Sequence, residues 1–220
     1  MAGSTVRLRV AVSADETMTL DAVTVALDER GITVTATAPT IAGPDELLGG
    51  DPSAWLVVTD LDGWTHLGEV CDLVRSVRLP AVVLTPAPRG GLWGALLEAG
   101  AVAVLSADTG SDTIEDTLRD AAEGRRGHTP SEAEGLIAQW HLLRDGRERM
   151  HRLVRSLTVR EHEVLELLYD GATVAEIAAQ FGVAQTTVRT QVKSILRKFE
   201  VGSQLAAVAA YDRYLRPPRS

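Results

Sequence analysis

Residues 158–199 read TVREHEVLELLYDGATVAEIAAQFGVAQTTVRTQVKSILRKF. This stretch contains the same start signal twice, because Thr158 precedes Glu161 by the same three positions that separate Thr173 from Glu176. A threonine followed at that distance by glutamate is a capping box, in which each side chain hydrogen-bonds the backbone N–H of the other residue. The two boxes therefore predict two helix starts.

Apolar residues at helical spacing follow both boxes and continue into a third segment. The residues expected to be buried are Val164, Leu165 and Leu168, then Ile177, Ala178 and Phe181, and then Val188, Val192, Ile195 and Phe199. The third helix, predicted over residues 184–199, carries polar and basic residues on its opposite face. A short helix, a turn at Gly182 and a longer basic helix together predict a helix-turn-helix, whose last helix fits the DNA major groove.

Four segments carry a resemblance to a known family: LTVREHEVL at 157–165, AEIA at 175–178, TVR at 187–189 and ILRK at 195–198. They resemble the LuxR-type helix-turn-helix of NarL/FixJ regulators. The resemblance implies double-stranded DNA as the partner. It assigns contacts with DNA to Arg189, Thr190 and Lys193, and places Thr187 and Arg197 near the phosphate backbone.

Two positions depart from the pattern of that family. Ala184 stands where a Ser or Thr helix cap is usual, which we expect to weaken the helix start by about 1 kcal/mol. Gln191 replaces a common histidine. The resemblance also implies a fourth helix over residues 204–214. Its Leu205 and Val208 would either form a dimer contact or only pack on the other helices, and both interpretations stay open.

Net charge divides the chain into two unlike halves. Residues 1–124 hold 7 Arg, no Lys and 19 acidic residues, whereas residues 125–220 hold 13 Arg, 2 Lys and 11 acidic residues. The first half is strongly acidic and the second is basic, although the whole chain of 220 residues carries a net charge of -8. Such asymmetry is expected of a regulator with separate sensing and DNA-binding parts.

The front half alternates short Val-rich runs with helical stretches. Strands are predicted at residues 6–12, 32–37, 55–59, 81–85 and 102–105, with helices at 17–30, 44–48, 67–77, 92–99 and 111–123 between and after them. Strands this continuously apolar have both faces covered. The fold class is therefore α/β, a doubly wound five-stranded parallel sheet of the flavodoxin-like kind, followed by a small all-α domain.

With this strand order, the front half resembles the receiver domain of response regulators. The resemblance places a candidate phosphoryl acceptor at Asp60, and a receiver pocket at Asp15, Glu16 and Thr85. Three features are missing: one member of the acidic pair is Ala14, the lysine position is Ala107 and the aromatic position on the fifth strand is Val104. We expect no cofactor and at most weak Mg²⁺ binding at Asp15 and Asp60, because Mg²⁺ requires several oxygen ligands.

The expected domains are an atypical receiver at residues 1–124, a partly helical linker at 125–152 and a LuxR-type domain at 153–220. In the linker, Ser131 and Glu134 predict another capping box, and Gly146 weakens the helix that follows. No apolar run is long enough to span a bilayer, and the single cysteine is Cys71, so we expect a cytoplasmic protein without disulfides.

The leading hypothesis is a DNA-binding transcriptional regulator that is not an enzyme and is controlled independently of phosphorylation. It would act as a homodimer, or as a heterodimer with a related regulator, and receive a small-molecule or protein signal at the receiver. Two alternatives are a phosphorylation-controlled two-component response regulator and a small-molecule-binding flavodoxin-like protein. The front half contains no Gly-rich phosphate loop, nucleophile elbow or metal-binding cluster at sequence spacing.

Overall fold

The computed structural model describes residues 7–40 and 44–215. These residues divide into two compact units, one ending at His141 and the other beginning at Leu142. Each unit has its own apolar core. Among the described residues, no helix combines the length and the apolarity that crossing a bilayer requires.

The first unit contains one sheet of five parallel strands. They are β1 (Arg9–Ala14), β2 (Thr33–Pro39), β3 (Ala54–Val58), β4 (Ala81–Thr85) and β5 (Ala103–Ser106). The spatial order β2-β1-β3-β4-β5 is doubly wound, which confirms the predicted fold class. The first strand begins at Arg9 rather than at the predicted Val6, which lies outside the described residues.

Helices connect and follow these strands. They are α1 (Thr17–Glu29), α2 (Pro44–Leu47), α3 (Gly63–Ser76), α4 (Gly91–Ala99), α5 (Ser111–Ala122) and α6 (Pro130–Arg155). Helix α3 starts four residues before its predicted start at Leu67, because Gly63, at φ 86°, turns the chain into the helix directly after the β3 loop. Val10, Val12, Leu56 and Val82 are at most 1% exposed, as strands covered on both faces require.

The open edge of the sheet at β5 is partly occupied by the chain that follows α5. The Gly127 N–H donates to the carbonyl of Val102 at 3.0 Å. One residue later, His128 Nε2 lies 3.1 Å from both the N–H and the carbonyl oxygen of Val104. Burial lowers the pKa of His128, which favours the neutral ring in this position.

Helix α6 begins at a capping box that the sequence analysis placed two residues too late. Thr129 Oγ1 accepts the N–H of Glu132, and the Glu132 carboxylate accepts the N–H of Thr129 at 3.0 Å. The prediction of Ser131 and Glu134 was wrong. The helix starts earlier because Pro130 fits the first helical position, where a backbone N–H has no hydrogen-bond partner within the helix, so proline loses nothing by lacking one. Glu132 also pairs with Arg89 at 3.1 Å.

Residues 130–141 of α6 pack on α4 within the first unit. Leu136 is 4% exposed, and Trp140 Nε1 donates to Glu98 Oε2 at 2.9 Å. The two backbones come unusually close at Gly94, where a Cβ atom would lie 2.0 Å from the Leu136 carbonyl oxygen. Only glycine fits at this contact.

The second unit is helical. It contains the rest of α6 together with α7 (Val159–Tyr169), α8 (Val174–Phe181), α9 (Gln185–Phe199) and α10 (Gln204–Leu215). Helix α6 continues through Gly146, which was expected to weaken it, and the ring of Tyr214 lies against the backbone at that position. A Cβ atom at Gly146 would come within 2.3 Å of the Tyr214 ring, so the glycine is used for close packing.

We predict that Gly94→Ala destabilises the first unit by about 1–3 kcal/mol, because the new methyl group cannot fit against the Leu136 carbonyl without moving a helix. Gly135→Ala on α6 is the matched control. A Cβ atom there meets nothing within 4 Å, and alanine favours the helix. Urea denaturation of both variants measures the difference. Equal midpoints would contradict the close contact of α4 with α6.

Candidate functional site

The helix-turn-helix is built from two satisfied capping boxes. The N–H of Thr158 donates to Glu161 Oε2 at 2.7 Å, and the N–H of Thr173 donates to Glu176 Oε2 at 2.7 Å. In both boxes the threonine hydroxyl accepts the backbone N–H of the glutamate at 3.3 Å. Helix α8 then ends at Gly182, whose left-handed φ of 65° turns the chain toward α9. Both predicted boxes are confirmed.

Helix α9 separates an apolar face from a polar one. Val188, Ile195 and Phe199 are buried in the core of the second unit. The five side chains assigned to DNA are all exposed: Thr187, Arg189, Thr190, Lys193 and Arg197. At 100° per residue, four of them form a single stripe and Thr187 lies at its margin. The helix thus presents three cationic side chains to solvent along one side.

Two departures from the family pattern have visible structural results. Ala184 is the N-cap of α9 and provides no side-chain hydrogen bond to the helix start. Gln191 lies at the boundary of the polar stripe, and its buried Oε1 has no hydrogen-bond partner among the described residues. Leaving such an acceptor unpaired costs on the order of 1–3 kcal/mol.

The second lysine of α9 points away from the exposed stripe and connects α9 to α7. Lys198 Nζ lies 2.7 Å from Glu161 Oε2 and donates to the carbonyl of Ser156 at 2.7 Å. Glu161 is 6% exposed. Its burial alone would raise the carboxyl pKa, but hydrogen bonds from Lys198, Ser194 and Thr158 lower that pKa to about 2. Sequence spacing did not reveal this pair, because its members are far apart in the chain.

In the first unit, the loop after β3 holds Asp60 in a tight turn. Leu61 adopts a φ of 58°, which is uncommon for a residue with a side chain, and it is buried. The Leu61 N–H donates to Thr59 Oγ1 at 3.2 Å, and the Asp62 N–H donates to Asp60 Oδ1 at 2.9 Å. The Asp60 N–H donates to Asp15 Oδ2 at 2.9 Å. The two carboxylates predicted from sequence therefore lie side by side.

A histidine that the sequence analysis passed over completes this cluster. His66 Nε2, from the first turn of α3, lies 3.1 Å from Asp15 Oδ1 and 3.0 Å from Thr59 Oγ1. The sequence shows only that His66 lies soon after the β3 loop. Its contact with Asp15 could not be predicted, because that contact depends on the strand order. We call Asp15, Asp60 and His66 the β1–β3 cluster. Asp15 and Asp60 border a cleft of about 210 Å³ that Glu16 also lines.

The other expected receiver positions are arranged differently. Thr85 is fully buried at the end of β4, and its hydroxyl accepts the N–H of Ala87 at 3.2 Å. Ala107 donates its N–H to the carbonyl of Thr85, and Val104 is buried in β5. Among the described residues, His66 is the side chain that contacts Asp15 Oδ1, and neither Asp15 nor Asp60 pairs with an arginine or lysine.

The fit of this cluster to Mg²⁺ is poor. Asp15 and Asp60 offer carboxylate oxygens, but a ring nitrogen of His66 occupies a neighbouring position at 3.1 Å from Asp15 Oδ1. Mg²⁺ requires near-octahedral oxygen coordination and gives up its bound water reluctantly. Asp15 and Asp60 would be its ligands, and neither His66 nor Ala14 adds the oxygen that a stronger site needs.

The chain is similar to several known bacterial proteins. Residues 155–210 match the profile of the family described as bacterial regulatory proteins, luxR family. The chain is 27% identical to the transcriptional regulatory protein DesR of Bacillus subtilis over 157 residues, which cover 71% of each chain. It is 32% identical to the probable transcriptional regulatory protein NarL of Mycobacterium tuberculosis over 143 residues, or 64% of this chain and 63% of that protein. A solved structure of the response regulator ChrA, from a heme-sensing two-component system, is 25% identical with a TM-score of 0.47, and covers 94% of this chain and 97% of that one.

The Glu161–Lys198 pair predicts a specific acid sensitivity of the second unit. A carboxyl group whose pKa is about 2 in the folded state, against 4.5 ordinarily, stabilises the fold above pH 4.5. That stability, on the order of 2 kcal/mol, is lost as the pH falls from about 4.5 toward 2. We expect Glu161→Gln to remove this part of the pH dependence and to lower stability at pH 7, as measured by chemical denaturation across pH.

Glu163→Gln is the matched control for that measurement. Glu163 pairs with Arg160 at 2.8 Å on the exposed side of the same helix, where ion pairs contribute little. A pH dependence that is identical in the wild type and in Glu161→Gln would show that the buried pair does not set the acid limit.

Proposed function

We propose that this chain, a DNA-binding response regulator of the NarL and LuxR type, reads its operator through α9 and is controlled without phosphorylation of Asp60. The observation that carries the DNA assignment is the exposed cationic stripe of α9, which lies within residues 155–210 that match the luxR family. Arginine suits a guanine edge because its fork reaches O6 and N7 together. Lysine and threonine more often hold phosphate.

The roles along the stripe follow from this chemistry. We assign base reading to Arg189, which lies in the N-terminal half of α9, where recognition helices contact base edges. Arg189 Nη2 now donates to Gln185 Oε1 at 3.3 Å, a long hydrogen bond that a base would readily replace. Lys193, Thr190, Thr187 and Arg197 would hold phosphates. Lys198 is excluded from this set because it pairs with the buried Glu161.

We predict different effects for the two cationic residues. Arg189→Ala should weaken operator binding by about 1–3 kcal/mol and relax selectivity at one base pair. Lys193→Ala should weaken binding to all duplexes about equally and lower the salt dependence of the affinity by about one phosphate contact. Fluorescence anisotropy on an operator selected from random duplexes, titrated at several salt concentrations, measures both.

Arg75→Ala is the control for removing one positive charge. Arg75 is an exposed residue of α3 in the first unit, paired with Asp72 at 2.7 Å, and its loss should leave the affinity unchanged. If Arg189→Ala and Lys193→Ala both match the wild type in affinity and salt slope, α9 is not the DNA-reading helix.

Control without phosphorylation is supported by the β1–β3 cluster. Both oxygens of Asp15 are already engaged, one by the Asp60 N–H and the other by His66. The sequence has no lysine before Lys193, so the cation that would balance an arriving phosphoryl group is missing from this half. A phosphoryl group on Asp60 would add negative charge beside Asp15 and Glu16 without compensation.

We predict that Asp60→Asn binds the operator and represses or activates its target as the wild type does, because Asp60 would receive no phosphoryl group. Operator affinity in vitro and reporter expression in cells measure this. The competing hypothesis is a phosphorylation-controlled response regulator, which the exposed position of Asp60 beside Asp15 favours. Stoichiometric labelling of Asp60 by a small phosphodonor with Mg²⁺ would establish that alternative and remove ours.

The signal would control operator binding by changing dimerisation. Two half-sites bound together gain affinity that one cannot supply, so a signal that changes dimerisation changes operator occupancy. We propose α10 as the dimer contact, since Leu205 is 77% exposed while Val208 is partly buried against the core of the second unit. The partner is a second copy or a related regulator.

A further inference from the structure

The first turn of α9 carries an exposed amide that lies outside the five DNA contacts proposed for this helix. Gln185 is the first residue of α9, and Arg189 follows one turn later. Arg189 Nη2 donates to Gln185 Oε1 at 3.3 Å. Four residues of an α-helix rotate by about 400° and rise by about 6 Å, so these two side chains leave the helix within about 40° of each other. Gln185 therefore extends the exposed stripe of α9 by one turn toward its N-terminus.

The carboxamide of Gln185 matches the major-groove edge of one base in particular. A glutamine amide can accept a hydrogen bond from adenine N6 and donate one to adenine N7, and this pair of bonds distinguishes adenine from the other bases. The other amide of α9, Gln191, has its Oε1 buried. The exposed hydroxyls of the helix belong to Thr186, Thr187 and Thr190, and a threonine hydroxyl bonds to more than one base. Gln185 is thus the side chain of α9 that can select adenine.

We propose that Gln185 reads an adenine in the base pair next to the one whose guanine Arg189 contacts. The proposal rests on the proposed function, because it requires α9 to lie in the major groove with its N-terminal residues against base edges. Where the contacting residues of a recognition helix lie about one turn apart, they meet successive base pairs. The spacing of Gln185 and Arg189 therefore predicts an adenine and a guanine in neighbouring base pairs of each half-site.

The hydrogen bond between these two side chains can be exchanged for bonds to DNA without leaving a polar group unpaired. At 3.3 Å it is longer than the usual N–H···O bond of roughly 2.9–3.0 Å, and both residues are exposed. On the operator, the Arg189 guanidinium would donate to guanine O6 and N7, while Gln185 Oε1 would accept from adenine N6 and its Nε2 would donate to adenine N7. One weak bond is thereby replaced by two bidentate contacts.

A competing role for Gln185 is to hold Arg189 in place without touching DNA, and Gln185→Glu separates the two roles. A carboxylate at this position keeps an acceptor for Arg189 one turn later, and its charge strengthens that contact. It cannot donate to adenine N7, and instead accepts from cytosine N4. Base reading therefore predicts a change from adenine to cytosine at one position of the operator, whereas a holding role predicts unchanged selectivity there.

The experiment selects duplexes from a random pool with the full-length wild type, Gln185→Ala and Gln185→Glu, and then measures affinities by fluorescence anisotropy. We expect the wild type to prefer adenine beside the guanine by roughly 5- to 100-fold, the range of one bidentate contact. Gln185→Ala should lose this preference and keep the preference for guanine, which also shows that the variant is folded. Gln185→Glu should select cytosine instead. Arg189→Ala should lose the guanine preference and keep that for adenine.

Gln139→Ala is the matched control, because Gln139 is an exposed amide of α6 in the first unit. It should select the wild-type sequence with unchanged affinity. The proposal would be overturned by wild-type selectivity at the adenine position in both Gln185 variants, or by a wild-type operator without adenine beside the guanine. Either result leaves the proposed function in place when Arg189→Ala loses the guanine preference. A wild type that selects no sequence would overturn both.

Discussion

The hydrogen-bonded ion pair of Glu161 with Lys198 is the interaction on which the DNA-binding unit depends. Its carboxylate caps the start of α7 through Thr158, and the same oxygen accepts from Lys198 near the end of α9. One buried group thereby fixes α9 relative to α7. Removing one member would leave the other charge buried without a partner, a larger loss than the pair itself contributes. The two lysines of α9 thus have different roles, because Lys198 pairs with Glu161 whereas Lys193 is exposed to solvent.

The first unit has a comparable constraint in its strand order. Because β1 lies between β2 and β3, the loops that follow β1 and β3 open toward each other and bring Asp15 next to Asp60. Ala107 stands at the position where the resemblance to receiver domains implies a lysine, and His66 lies against Asp15.

Features that depend on neighbouring residues could be predicted from the sequence, whereas contacts between distant residues could not. Capping boxes, glycine turns and apolar spacing act within a few residues, so the helix-turn-helix and the five strands were predicted with small boundary shifts. Contacts between distant segments were missed, among them His66 with Asp15 and Lys198 with Glu161. Gly146 was read as a weak point of its helix, because its cost is local whereas the packing of Tyr214 against it is not. The exposed residues of α9 were predicted correctly as exposed, since the opposite face already had to be buried.

The covering of β5 by residues 127 and 128 has a consequence for how the protein behaves at high concentration. An unpaired outer strand is a template on which another chain can add a strand, and proteins that leave it open tend to aggregate. Here the Gly127 N–H and the His128 ring occupy the backbone groups of Val102 and Val104. Residues 127 and 128 therefore oppose the addition of a strand from another molecule at this edge of the sheet.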